Sequence, residues 1–272
     1  MTCTEIFSKT FVTRLVYFSA SLILLTGSNL PGASAQSASG KEQVLAPRPA
    51  AGIYPATNAD DNLNFVSIFD GKTLNGWDGD TTFWRAENGV IIGETTADKV
   101  VKLNNFLIWR GARVKDFELK VDFKINGTNS GIQFRSTEMP ELGKWVLKGY
   151  QADIEFTNGY TGNIHEERGR SGHVVLSRRG EVTRAVEGPA FKTVATIADP
   201  TLLKGVINIG GWNQYHIIAR GPVILQIING QLISVLLDED SKNFTAEGVI
   251  GFQMHTGRPF KIEYRNILYK AL

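Results

Sequence analysis

The chain has 272 residues, with 29 Lys and Arg against 27 Asp and Glu and a formal charge of +2. That balance gives no electrostatic reason to expect a nucleic acid or an anionic membrane as partner. The single cysteine, Cys3, falls among the first residues, so the rest of the chain has no thiol to pair, to ligate a metal or to attack a substrate.

Lys9 and Arg14 precede an apolar stretch over residues 15–25, and Ala33-Ser34-Ala35 before Gln36 has the small residues of a signal-peptidase site. The apolar stretch is interrupted by Ser19 and Ser21 and is shorter than the ~20 apolar residues a bilayer span needs. Residues 1–35 therefore read as a cleaved signal peptide, which predicts a secreted or periplasmic protein with no membrane attachment after its removal. Residues 36–62, rich in Ala, Pro, Ser and Asn without apolar period, read as a flexible linker. Residues 63–272 then form one domain.

Strands are predicted at residues 65–69 and in a hairpin over 84–92, where Asn88-Gly89 supplies the positive φ angles of a tight turn. A strand at 106–109 follows. Residues 117–125, Phe-Glu-Leu-Lys-Val-Asp-Phe-Lys-Ile, alternate apolar and charged side chains, which at period two gives one dry face and one wet face. Further strands fall at 131–135, 151–155 and 213–219. A second hairpin joins 223–228 to 232–237 through Asn229-Gly230, and strands at 248–254 and 260–268 close the chain. One short helical turn is predicted at 200–204. Many short strands with Gly/Asn turns point to an all-β sandwich or barrel.

Period two also sorts the polar residues. Gln133 shares a face with Arg135, Gln151 with Asp153, and Gln253 with His255, so neighbouring strands would gather six polar groups in one groove. Taken pair by pair, each would simply point to water. The run Glu166-Glu167-Arg168-Gly169-Arg170 reads on its own as a surface loop with weak ion pairs, His216 as a structural residue, and Arg265-Asn266 as a pair that ties a carboxylate to the sheet.

The ordered fragments Phe69-Asp70-Gly71-Lys72-Thr73-Leu74-Asn75-Gly76-Trp77, Asn129-Ser130-Gly131-Ile132 through Arg135, Gly149-Tyr150-Gln151-Ala152-Asp153, Gly211-Trp212-Asn213, Gln253-Met254-His255 and Tyr264-Arg265-Asn266-Ile267 resemble the 3-keto-disaccharide hydrolase domain family. The resemblance covers nearly the whole domain. It implies a concanavalin A-like jelly-roll sandwich of two antiparallel sheets, acting on glycosides whose C3 hydroxyl has been oxidised to a ketone. A C3 ketone acidifies the C2 proton, so a base can remove it, the C1 substituent can leave, and water can add. Such chemistry needs a base, donors for the enolate oxygen and an acid for the leaving oxygen.

The resemblance and this chemistry assign Asp153 or Glu167 as base, Arg135 with Gln253 as enolate stabilisers, and His255 as the acid or its orienting partner. Trp212, Tyr150 and Tyr160 would stack on sugar faces, with Gln151, Arg168 and Asn129 as further substrate-binding residues. Some family members carry Gly-Tyr-Glu with a Gln two residues later where this chain has Gln151 and Asp153, which leaves the position of the carboxylate open. No cofactor is predicted: Asp153, Glu167 and His255 could hold a divalent metal, but their spacing does not argue for one. The partner class is a carbohydrate or glycoside, with a sugar 3-oxidoreductase acting upstream. The rival reading is a non-catalytic lectin-like module of the same fold. Ordinary glucan hydrolysis by paired carboxylates ranks last, because no strand carries the spaced acids it needs.

Overall fold

The computed structural model describes residues 62–170, 172–188 and 191–272. The expected signal peptide and all but the last residue of the expected linker lie outside that range.

The first strands are β1 (Val66–Ser67), β2 (Trp77–Asp78), β3 (Trp84–Glu87), β4 (Val90–Glu94), β5 (Asn105–Val114) and β6 (Phe117–Asn126). Next come β7 (Asn129–Glu138), β8 (Leu147–Glu155), β9 (Ile164–Gly169), β10 (Gly172–Ser177), β11 (Glu181–Ala185) and β12 (Phe191–Thr196). The helical turn α1 (Pro200–Lys204) precedes β13 (Asn213–Arg220), β14 (Val223–Ile228), β15 (Gln231–Asp238), β16 (Gly248–Met254) and β17 (Lys261–Ala271). They form two sheets. A ten-stranded sheet runs β12-β11-β15-β14-β13-β6-β17-β4-β3 with β1 beside β17, and a seven-stranded sheet runs β10-β9-β8-β7-β16-β5-β2. All pairings are antiparallel except β11 with β15. This is the jelly-roll sandwich expected of the sequence.

The alternation of residues 117–125 does what period two demands. Phe117, Leu119, Val121, Phe123 and Ile125 turn into the space between the sheets and are nearly all fully buried, while Glu118, Asp122 and Lys124 face outward. The two Asn-Gly turns take the positive φ angles expected of them: 51° and 80° at Asn88-Gly89, 52° and 79° at Asn229-Gly230. They close β3 on β4 and β14 on β15. Asp199 caps α1 by accepting from the Thr201 N–H, with Pro200 at its first position, where a missing N–H costs nothing.

The inter-sheet core is aromatic. Phe252 stacks on Tyr264 at 4.0 Å and on Trp77 at 4.9 Å, and Phe123 packs on Tyr215 at 5.2 Å. Burying each such side chain contributes about 1.5–3 kcal/mol. A smaller cluster, Phe106, Ile108, Leu147 and Val249 under Trp145, occupies part of the opposite, outer face of the seven-stranded sheet. The rest of that face is polar, and the cleft described next lies there.

One expectation fails at the level of elements. The run from Glu166 to Arg170, read as a surface loop, is largely strand β9 with the turn after it, and Glu166 and Glu167 are 3% and 2% exposed. Glu166 pairs with Arg170, and Arg170 also pairs with Asp238 at 2.7 Å, inside the protein. The pairing of Glu166 with Arg170 is local, but Asp238, distant in sequence and absent from any local pattern, completes it.

Candidate active site

The outer face of β9, β8, β7 and β16 carries a cleft of about 670 Å³. Its floor is Gln151, Asp153, Glu167 and Gln253. Its sides are the loop before β5 (Lys102, Leu103, Asn104), the segment after β16 (His255, Thr256), the β8–β9 loop (Tyr160, Asn163) and the β10–β11 turn (Arg178).

Strand register explains the convergence. Gly131 lies opposite Asp153 and Gln133 opposite Gln151, while Gln151 lies opposite His165 and Gly149 opposite Glu167. Opposed residues of neighbouring strands share a face, so β7, β8 and β9 point one polar row at the cleft. Gly131 is a steric requirement of that row: a Cβ there would sit 2.5 Å from the Gln151 side chain. The glycine lets the Gln151 amide lie beside Asp153, to which its Nε2 donates at 3.0 Å.

Asp153 is 5% exposed, and its carboxyl accepts a hydrogen bond from the Gln151 amide. Its pKa is pushed up to about 8, chiefly because burial penalises the anion, with the negative charge of Glu167 adding to the effect and the Gln151 bond opposing it. The Asp153 carboxyl is therefore protonated at neutral pH. Its backbone is held from inside the sandwich, where Tyr215 of β13 donates its hydroxyl to the Asp153 carbonyl at 2.6 Å and accepts from the Gly162 N–H at 2.9 Å.

Glu167 has the opposite surroundings. Asn104 donates to Oε1 at 3.1 Å, Gln253 donates to Oε2 at 2.9 Å, and the Arg168 guanidinium lies in hydrogen-bond contact with Oε1. Simple alternation would send Arg168 to the face opposite Glu167. A positive φ of 53° turns it back so that both line the cleft, a conformation that strains a residue with a Cβ by about 1–3 kcal/mol. His255 is half-buried, and its Nδ1 donates to the Thr256 carbonyl. A carbonyl can only accept, so in the neutral ring Nε2 carries the lone pair. Tyr160 is held by the Asn129 side chain, and burial followed by the nearby Asp153 raises its phenol.

The structure thus brings together Asp153, Glu167, His255, Gln151, Gln253, Tyr160, Arg168 and Asn129. Three other residues assigned from sequence lie elsewhere. Arg135 should follow Gln133 onto the cleft face, but its φ is 47° and the β7–β8 register slips between Phe134 and Thr137. This bulge turns its side chain inward, where it is fully buried and donates to the Lys115 and Gly221 carbonyls and to Asp116. Tyr150 lies on the inner face of β8, 1% exposed, against Phe134 and hydrogen-bonded to Asp238. Trp212 packs on the outer face of the other sheet, with the Arg265 guanidinium 3.9 Å and the Lys124 ammonium 4.9 Å from its ring. None of the three lines the cleft.

Three contributors escaped the sequence reading. Asn104 joins Glu167 to the Thr256 N–H. Asn163 accepts from the Arg179 N–H. Arg179 itself, 7% exposed, donates to the Asn158 side chain and to the carbonyls of Asn158, Gly159 and Thr161. They lie in loops without periodicity, so no local pattern marks them. Among the described residues no group of three or more His, Cys, Asp and Glu side chains is disposed to hold a metal ion.

A jelly-roll sandwich whose outer face opens into a polar cleft lined by two carboxyl side chains and an imidazole has the groups that acid–base chemistry needs. More particularly, the chain belongs to the 3-keto-alpha-glucoside-1,2-lyase-like domain family, which matches residues 64–270. Two solved structures of proposed glycosyl hydrolases from Parabacteroides distasonis ATCC 8503 share the fold. One is 20% identical with a TM-score of 0.51 over 76% of this chain and 99% of its own. The other is 19% identical with a TM-score of 0.50 over 77% and 94%. The carbohydrate-binding module CBM66 from Bacillus subtilis, at 14% identity, has a TM-score of 0.48 over 72% of this chain and 96% of its own. No curated protein matches the chain.

Proposed function

We propose that the cleft cleaves 3-keto-glycosides by elimination across C1 and C2 followed by hydration, a net hydrolysis. The observation that carries this reading is the pairing, in one cleft, of a carboxyl that keeps its proton at neutral pH with an imidazole whose Nε2 has a lone pair. Acid and base of different environment are what the successive loss of a proton and a leaving group requires.

In the proposed reaction His255 Nε2 takes the C2 proton and Asp153 is the acid, the reverse of the roles read from the sequence. The electron pair moves into an enolate at C3–O, stabilised by the Arg168 guanidinium and the Gln253 amide. Arg168 takes the place that the sequence reading gave to Arg135. Collapse of the enolate expels the C1 oxygen substituent, which receives the Asp153 proton, and leaves a C1=C2 double bond conjugated with the ketone. For hydration the roles reverse: ionised Asp153 takes a proton from water as its oxygen adds to C1, and protonated His255 returns the proton to C2. Glu167 binds Arg168 and Gln253 and holds them in place. The upstream ketone would come from a sugar 3-oxidoreductase, and an exported location fits the expected signal peptide.

The test is release of aglycone from an aryl 3-keto-glucoside. Asp153→Asn is expected to lower kcat/KM by ~100-fold or more, the usual scale for a lost acid catalyst. In the parent protein kcat/KM falls as pH rises through about 8, where Asp153 loses its proton, and that alkaline limb is absent from the residual activity of the variant. Activity of Asp153→Asn equal to the parent removes Asp153 from the mechanism. Binding of unoxidised oligosaccharide with no turnover of any 3-keto-glycoside assigns the cleft to a lectin-like module instead.

A further inference from the structure

The rim of the cleft is charged in one sense. Lys102 stands on the loop before β5 and Arg178 on the turn after β10. In the order β10-β9-β8-β7-β16-β5-β2 these elements bracket the floor strands, so the two cations stand on opposite walls. The carboxylates lining the cleft are Asp153 and Glu167, both at the floor and both nearly inaccessible to solvent. Glu167 is already matched by Arg168.

Both cations are exposed side chains on anchored backbone. Two residues from Lys102, the Asn104 amide is tied to Glu167 and to the Thr256 N–H. The Arg178 N–H donates to Glu181 Oε2 at 3.3 Å, the Glu181 N–H donates back to the Arg178 carbonyl at 3.0 Å, and the next residue, Arg179, clamps the β8–β9 loop. Among the described residues neither the Lys102 ammonium nor the Arg178 guanidinium forms an ion pair. Elsewhere the exposed Arg85, Arg110, Arg113 and Arg184 each pair with a carboxylate, whereas Arg220 and Arg258, also without an ion pair among the described residues, lie away from the cleft. Two unmatched cations facing a sugar-sized cleft raise the local concentration of anionic ligands and favour their bound state.

We infer that the cleft selects glycosides bearing an anionic substituent, a carboxylate or a sulfate, on the part that projects past the floor, and that Lys102 and Arg178 read it. The inference rests on the cleft being a glycoside site, and it deepens the proposed function by naming a substrate class. Guanidinium recognises carboxylate and tetrahedral oxyanions alike through two parallel N–H bonds, whereas ammonium acts as a point charge. Arg178 is thus the residue that orients the anion, and Lys102 responds to charge alone.

The experiment uses matched aryl glucosides whose para substituent is carboxylate, carboxamide or sulfate. Binding of the unoxidised glucosides is measured by calorimetry, and turnover of their 3-keto forms by aglycone release. Anionic glucosides are expected to bind about tenfold more tightly than the carboxamide at low salt, the scale of two exposed charge pairs, with the advantage shrinking as salt is raised. A double variant, Lys102→Gln with Arg178→Gln, should lose that preference and keep turnover of the carboxamide substrate. The carboxylate and sulfate arms identify which anion is preferred. Equal affinity for charged and neutral glucosides, or a preference that survives the double variant, overturns the inference. Anion preference in binding without turnover of any 3-keto form would leave the inference standing and remove the reaction; turnover without preference would do the reverse.

Discussion

Asp153 and Glu167 are both acidic, both nearly inaccessible and on neighbouring strands, yet their surroundings separate them. Asn104, Gln253 and the cationic Arg168 donate to Glu167, whereas the Asp153 carboxyl accepts from the Gln151 amide and feels the Glu167 charge. Burial raises the Asp153 pKa from 3.8 to about 8, which makes a stability prediction with a definite sign. Between about pH 4 and pH 8 the unfolded chain releases a proton that the folded chain keeps, so stability falls across that window and levels off above it. Asp153→Asn removes the titration. Thermal melts of variant and parent should diverge in favour of the variant from about pH 4 upward and run parallel above pH 8. A gap independent of pH would mean that the native carboxyl is already ionised at acid pH. Arg168 and Arg135 show how much one dihedral decides. Both carry positive φ on strands of the same sheet; one turn brings a guanidinium into the cleft, and the other removes one from it.

At the scale of elements, the cleft depends on a loop that has no regular structure of its own. The β8–β9 loop carries Tyr160 and Asn163, and its carbonyls are gathered by the buried Arg179 guanidinium. Glu155 braces the same loop by accepting from the Thr157 and Gly159 N–H groups. Arg179→Met would leave those carbonyls short of donors, at a cost of about 1–3 kcal/mol. Because Arg179 does not line the cleft, the expected kinetic signature is a raised KM with kcat reduced less, readable in aglycone-release assays. A fall in kcat with KM unchanged would instead put the loop in the chemical step.

At the scale of the molecule, the two sheets are joined by more than apolar packing. Tyr215 of the larger sheet holds the Asp153 carbonyl in the smaller. At one end, Arg170 bridges Glu166 of β9 to Asp238 at the end of β15 and approaches Asp240, with Tyr150 donating to Asp238. Replacing Arg170 by Met would strand buried carboxylates, which typically costs about 3–5 kcal/mol. Urea unfolding should show that loss as a lower midpoint with the slope kept. A variant as stable as the parent would mean that these carboxylates are neutral in the fold.

The sequence by itself determined the fold class and most of the strands, though not β2 or β9 to β12, because alternation along residues 117–125 and the two Asn-Gly turns are local signals that the backbone obeys wherever it is placed. It also marked Gln151, Asp153, Gln253 and His255 as facing one way. Tertiary structure alone decided which polar residues share the cleft. A bulge, which alternation cannot foresee, withdrew Arg135; a strained φ admitted Arg168; and the choice of sheet sent Trp212 to the far side of the sandwich. Asn104 and Arg179 act across long separations in sequence from loops without period, so their roles exist only once the strands have been brought side by side.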